Sequence, residues 1–138
     1  MDKLTVKGTR IVDSHGRERI LTGLNVCDKG KYVEGQRRIY GTMWNKGLAA
    51  DMKAHGMDLI RLGMTWDAIE PQPGEYNDEF LDSIGNILNE CKDAGVYVYL
   101  DMHQDLFSGT DLNCGDGAPK WATMTRKYKY QYTGSDST

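Results

Sequence analysis

Residues Gly95–Phe107 read GVYVYLDMHQDLF, and this stretch decides the fold. A glycine precedes the apolar run Val96–Leu100, which breaks at once into Asp101, His103, Gln104 and Asp105. An apolar run of this length, rich in β-branched and aromatic residues, is a buried strand. Ionisable groups at its C-terminal end belong to a loop that faces something. In parallel α/β proteins, that end of the sheet is where ligands bind. A second polar segment, GDGAPKWA, follows at Gly115–Ala122.

Working outward, the strand is preceded by a helix. Asn77 is a suitable N-cap, and Asp78 and Glu79 favour the first turn. Phe80, Leu81, Ile84, Ile87, Leu88 and Cys91 then recur at helical spacing, and Gly95 is the C-cap glycine. The same unit occurs earlier. Trp44–His55 carries Leu48, Ala49 and Met52 at helical spacing, Gly56 caps it, and Asp58–Gly63 (DLIRLG) is a short buried strand. Between the units, Thr65–Asn77 is a loop, because Pro71, Pro73 and Gly74 exclude regular structure. Upstream, Thr9–Val12 and Arg19–Leu21 flank the turn signal Asp13-Ser14-His15-Gly16, which predicts a hairpin. Ile20–Val26 continues as a longer strand, and residues 27–43 read as a long polar loop. Beyond Trp121 the pattern fades. Tyr128, Tyr130 and Tyr132 alternate as in a strand, and the ending GSDST reads as disordered.

Alternating helices and strands imply parallel pairing through crossovers. Two architectures satisfy that pattern: a doubly wound sheet and a (β/α)8 barrel. The 138 residues suit one domain, with 123–138 as a poorly defined tail.

Composition narrows the function classes. Apolar residues make up 39% and charged residues 27%, which is globular rather than disordered. A net charge of −3 lacks the basic face that nucleic-acid binding needs. Cys27, Cys91 and Cys114 form no CxxC pair, so neither a disulfide framework nor a zinc motif is indicated. Cys91 reads as a core residue and the other two as loop-side thiols. No apolar run reaches the length of a membrane span. No signal peptide is visible in MDKLTVKGTR, which makes the cytoplasm the default expectation and leaves secretion open. GxGxxG, P-loop and GxSxG motifs are absent.

The candidate site residues are few. Arg61 lies in a buried strand, and a buried guanidinium needs a partner. Either it orients carboxylates at the strand tips or it belongs to a structural ion pair. Asp101, His103 and Asp105 alternate, so an extended backbone puts them on one face. Three such groups could ligate a metal only with help from elsewhere, so hydrogen bonding to a polar substrate is the stronger expectation. Trp66 and Trp121 sit in loops after strands, where indoles stack on sugar rings or pack in the core. Lys29 follows the first strand in GLNVCDKG, where an exposed loop lysine is the ordinary reading.

Taken together, ILTGLNV, LIRLGMTWDAIEPQPGEYN and VYVYLDMHQDLF with GDGAPKWA resemble the family 5 glycoside hydrolases. Within that family, DMHQD followed by GAPKWA resembles the endoglycoceramidase-like branch. The resemblance covers residues 4–122. It implies the N-terminal part of a (β/α)8 barrel, about three β/α units with the hairpin covering its bottom. It also implies retaining hydrolysis by two glutamates, without metal or organic cofactor. On this resemblance Arg61 supports the nucleophile, and His103 lines the sugar site beside the scissile bond. Lys29, Asp105 and Trp66 hold the sugar, while Asp101 and Gln104 belong to the motif without an assigned role.

The family's acid/base glutamate follows an asparagine after the fourth strand, usually as Asn-Glu-Pro, and its nucleophile ends the seventh strand. Here the one Asn-Glu, Asn89-Glu90, is followed by Cys91 and lies inside the predicted helix. A complete barrel takes about 250 residues, so no catalytic glutamate is expected within this chain. The expected partner is a carbohydrate or glycolipid, with room for a second chain that completes the barrel. The alternatives are a carbohydrate-binding remnant, a non-catalytic split-barrel partner, or an unrelated doubly wound protein.

Overall fold

The computed structural model describes residues 1–27, 31–33, 36–38, 44–108 and 116–123. Lys29, Cys114, Gly115, Tyr128, Tyr130, Tyr132 and the GSDST ending lie outside the described residues.

Strands β1 (Thr5–Lys7) and β2 (Arg10–Val12) pair antiparallel, so the first hairpin turns at Gly8-Thr9. The sequence predicts it one turn later, around Asp13–Gly16. That later turn exists, but it closes on a single bridge between Val12 and Glu18, and Arg19–Leu21 is not a strand. Asp13 is the reason. Its buried carboxylate accepts from the His15 and Arg17 backbone N–H groups at 2.9 and 3.0 Å and from Arg17 Nε at 2.8 Å. The chain wraps around the carboxylate instead of continuing a ladder. Arg19 then lies between Asp13 at 3.7 Å and Asp58 at 3.5 Å, which ties the turn to the second β/α unit.

Burial raises the Asp13 pKa, but the hydrogen bonds from Arg17 and His15 outweigh it and hold the carboxyl below its ordinary value. A folded pKa below the unfolded one gives stability that is full above the unfolded value and is lost as pH falls through the folded one. Asp13→Asn should therefore melt lower than the parent at neutral pH. The two melting curves should converge below about pH 4. Thermal melts across that range check this, and a gap that persists at low pH would refute it.

Next come β3 (Gly23–Cys27), β4 (Lys31–Val33) and β5 (Gln36–Arg38). The last two pair antiparallel, which corrects the expectation of a featureless loop over 27–43. Only Glu34 and Gly35 separate them in sequence, a length suited to a hairpin. Cys27 ends a strand and is partly buried, so it is not a loop thiol.

The remaining elements are α1 (Leu48–Ala54), β6 (Leu59–Met64), α2 (Trp66–Ile69), α3 (Asp78–Ala94) and β7 (Tyr97–Met102), with a 3-10 turn at Lys120–Ala122. Helix α3 lies where the apolar spacing predicts it. Asn77 caps it by accepting the Phe80 N–H at 3.1 Å, and Gly95 ends it at φ 74°. The first helix is shorter than Trp44–His55. Trp44 and Gly47 are instead held by Glu90 of α3, whose carboxylate accepts Trp44 Nε1 at 3.0 Å and the Gly47 N–H at 2.7 Å. The segment Thr65–Asn77 contains α2 as well as the loop. Residues 66–69 carry no breaker, and Pro71 forces Glu70 out of the helix.

β3, β6 and β7 form one parallel sheet in that order, with α1 and α3 as the crossovers between successive strands. Val26, Ile60, Leu62 and Met64 pack with Ala49 and Met52 of α1 and with Phe80, Ile84 and Cys91 of α3. Cys91 is thus a core thiol, and burial with the nearby Glu90 charge pushes its pKa up to about 11. Strand alternation turns the intervening residues to the other face. Asn25, Arg61 and Tyr99 stand in register across the three strands, and Cys27, Gly63 and Asp101 form the row above them.

Candidate functional site at the strand tips

The polar face of the sheet is built around Arg61. Nη1 donates to Asn25 Oδ1 at 2.7 Å, and Nη2 lies 2.6 Å from Asp101 Oδ2. One guanidinium thereby joins all three parallel strands. Its side chain is 38% exposed, so the expectation of a buried guanidinium is corrected. The helix-facing side of β6 is buried, while Arg61 points to the opposite, open face. Asp101 is also relocated. Because β7 pairs with β6 as far as Met64–Met102, Asp101 is a strand residue and not part of the following loop.

His103 is the first residue beyond the strand, held by its backbone N–H to the Met64 carbonyl at 2.6 Å. Its ring sits among carboxylates. Nδ1 lies 3.3 Å from Asp101 Oδ2, and Nε2 lies 3.5 Å from Asp105 Oδ2 and 3.9 Å from Asp116 Oδ1. The alternation of Asp101, His103 and Asp105 therefore does bring the three together. Asp116 is the residue that sequence reasoning missed, although its segment was singled out.

Asp116 arrives through a zipper between the two polar segments. Asp105 and Asp116 exchange backbone hydrogen bonds at 3.1 and 2.9 Å, and Asp116 Oδ1 also accepts the Asp105 N–H at 2.8 Å. Ala118 donates to the Phe107 carbonyl at 2.7 Å, and Asp67 donates to the Gly117 carbonyl at 2.8 Å. Gly117 is required at this crossing. Its φ is 123°, and a Cβ there would lie 2.5 Å from Gln104 Cβ and 3.0 Å from the Phe107 oxygen. Leu106 and Phe107 adopt φ of 52° and 66°, a region that bulky residues rarely enter.

Trp66 begins α2 and Trp121 lies in the 3-10 turn, so neither sits in irregular loop. Their rings pack edge to face, with centroids 5.3 Å apart at 82°. Glu70 holds both indoles. Oε2 accepts Trp66 Nε1 at 2.8 Å, and the backbone oxygen accepts Trp121 Nε1 at 3.1 Å. Oε1 accepts the Gly74 N–H at 2.8 Å. The hydrogen bonds from Trp66 and Gly74 hold the Glu70 carboxyl below its ordinary pKa. Glu70→Ala should leave Trp66 without its acceptor and shift the indole emission, while Trp121 keeps the backbone oxygen. An unchanged spectrum in this variant, compared with Trp121→Phe as a reference, would show that Glu70 does not set the indole pair.

The arrangement offers a fixed cation, carboxylate acceptors, an imidazole and aromatic edges on one side of a parallel sheet. That combination suits a polyhydroxylated ligand. Glu90 is not part of it, since it is spent on Trp44 and Gly47 behind the sheet. Lys29 lies outside the described residues.

The sequence model of the Cellulase family (glycosyl hydrolase family 5) matches residues 12–137. An endoglycoceramidase of Cyanea nozakii is 37% identical over 84% of this chain, and endoglycoceramidase I of Rhodococcus hoagii is 31% identical over 93%. The chain spans only 23% and 25% of these two proteins. A solved endogalactoceramidase structure superposes with a TM-score of 0.75 at 32% identity, covering 91% of this chain and 31% of that one. The chain belongs to glycosyl hydrolase family 5, and its parallel sheet is the N-terminal part of a (β/α)8 barrel of that family.

Proposed function

We propose that this chain is the sugar-binding N-terminal portion of a retaining β-glycosidase that acts on glycolipids, with both catalytic glutamates supplied from outside residues 1–138. The observation that carries this reading is the Arg61 guanidinium bridging Asn25 and Asp101 beside His103. In the retaining mechanism one glutamate protonates the glycosidic oxygen and the other attacks the anomeric carbon. Arg61 keeps the nucleophile ionised and oriented. His103, Asp105 and Lys29 hydrogen-bond sugar hydroxyls, and Trp66 offers an aromatic face to the ring. The endoglycoceramidase relatives support a glycolipid substrate over a β-glucan or other oligosaccharide.

A second reading is a barrel completed by a separate chain. Among the described residues, the outer edges of β3 and β7 have no strand partner. Hydrolysis of lactosylceramide and aryl β-glucosides tests both readings. The pure chain should show no turnover, and turnover should appear on mixing with the remaining barrel segment of an endoglycoceramidase relative. Sugar binding without turnover in the mixture would favour a carbohydrate-binding remnant. Turnover by the chain alone, abolished by a substitution within it, would contradict the proposal.

A further inference from the structure

We infer that Glu70 is a positioning residue for sugar binding: its carboxylate sets the Trp66 indole and its backbone oxygen the Trp121 indole, as one aromatic wall at the strand tips. The inference rests on the proposed sugar-binding reading and adds a residue to it. The geometry is encoded locally. Trp66 and Glu70 lie four residues apart across the single turn α2, a spacing that brings two helical side chains together. Pro71 follows, and Glu70 leaves the helical conformation, at φ −133° and ψ 75°. Gly74, at φ 77°, reverses the chain so that its N–H returns to the same carboxylate.

Both carboxylate oxygens are used in this way. Oε2 accepts Trp66 Nε1 and Oε1 accepts the Gly74 N–H, each at 2.8 Å. An ionised acceptor makes such bonds shorter and stronger than a neutral one. The third bond, from Trp121 Nε1 to the Glu70 backbone oxygen at 3.1 Å, joins segments 51 residues apart. The edge-to-face contact at 5.3 Å then fixes each ring plane against the other. The pair stands at the same end of the sheet as His103. Trp66 follows β6 by two residues, and Met64, the last residue of that strand, holds the His103 N–H with its carbonyl. Asp67 is tied by its N–H to the Gly117 carbonyl, in the segment that carries Trp121. Trp121 is 37% exposed, so the wall is open to a ligand.

An indole serves a sugar ring with its face held at one angle. A ring free to turn about its side-chain bonds must be ordered on binding, which lowers affinity. Glu70 orders the rings before the ligand arrives. A residue that only braced the loop would change stability and leave affinity alone.

Titration of the full chain with lactose by NMR, alongside near-UV circular dichroism of the indoles, tests this. Glu70→Ala should weaken lactose binding about three- to tenfold, the effect of ordering one more side chain on binding, and should reduce the near-UV signal. Glu70→Gln keeps the size but has one accepting oxygen, so it should fall between the parent and Glu70→Ala in both readouts. Asn77→Ala controls for loop stability. It removes the cap of α3 at the other end of the same loop, so Tm should fall while lactose affinity and near-UV signal stay at parent values. In a Trp66→Phe background, which lacks the indole N–H, Glu70→Ala should weaken binding by less than about a further twofold. Parent-like affinity in Glu70→Ala, or full additivity with Trp66→Phe, would overturn the inference and leave the sugar site in place. An equal loss of affinity in Asn77→Ala would overturn it too, making Glu70 a loop brace. Should Glu70→Ala fail to fold, Glu70→Gln decides: weakened binding supports the role and parent-like binding overturns it. A parent chain that binds no lactose would instead remove the sugar-binding reading itself, and this inference with it.

Discussion

Gly23→Ala is expected to abolish cooperative folding of the sheet. Gly23 pairs with Leu59 at the start of the β3–β6 ladder, where a Cβ would lie 1.6 Å from the Leu59 oxygen and 2.5 Å from its carbonyl carbon. Both are backbone atoms, so no side-chain rotation relieves the clash. The strands must separate or lose register at that end. Overpacking of a core costs about 1–3 kcal/mol when side chains can yield, and this position should exceed that range. Against a typical total of about 5–15 kcal/mol, such a loss removes much of the stability. Urea unfolding followed by circular dichroism reads it out. Gly63→Ala is the informative comparison, because its Cβ would meet the Cys27 side chain at 2.5 Å instead of backbone. Removing the neighbouring side chain, as Cys27→Gly with Gly63→Ala, should recover stability, because the Cys27 Sγ and the Cβ at 2.8 Å both clash, whereas no change opposite Gly23 should rescue Gly23→Ala. A parent-like midpoint for Gly23→Ala would show that β3 does not approach β6 as described.

The second large effect concerns chemistry. In a barrel completed by the missing segment, Arg61→Ala should lower kcat by about 100-fold or more with a smaller change in KM. The guanidinium is held between Asn25 and Asp101, and under the proposed function that preorganises its charge for the nucleophile. Arg61→Lys should rescue little, because a single ammonium cannot span both partners. His103→Ala should also act more on kcat than on KM. A pure KM effect from Arg61→Ala would make it a ground-state binding residue only.

Much of this architecture is legible in the chain because its signals are local. The apolar spacing of Phe80, Ile84 and Cys91, the Asn77 cap and the Gly95 stop define α3 from nearest neighbours alone. The strand Leu59–Met64 is equally local, whereas the following strand, expected to be buried over Val96–Leu100, leaves Tyr99, Leu100 and Met102 exposed. What sequence reading misplaces depends on distant partners or on one polar side chain. The first hairpin shifts because the Asp13 carboxylate reorganises the turn that follows it. Strand β7 extends through Asp101 because β6 offers a ladder partner for it, which composition alone does not reveal. The exposure of Arg61 follows from which face of β6 meets the helices. Asp116 joins His103 only through backbone pairing across the 105–116 segment, and Asn25 meets Arg61 only across two strands. The two tryptophans were legible as a pair of interest, but their shared dependence on Glu70 was not.

The central claim is that the open face at the tips of β6 and β7 holds sugar. Titration of the isotope-labelled chain with lactose, followed by two-dimensional NMR, tests it most directly. The expected result is a set of shifts confined to Asn25, Arg61, Asp101 to Asp105 and the Trp66 indole, weakened by His103→Ala. Shifts centred on the hairpin of β1 and β2, or a titration insensitive to His103→Ala, would contradict the claim.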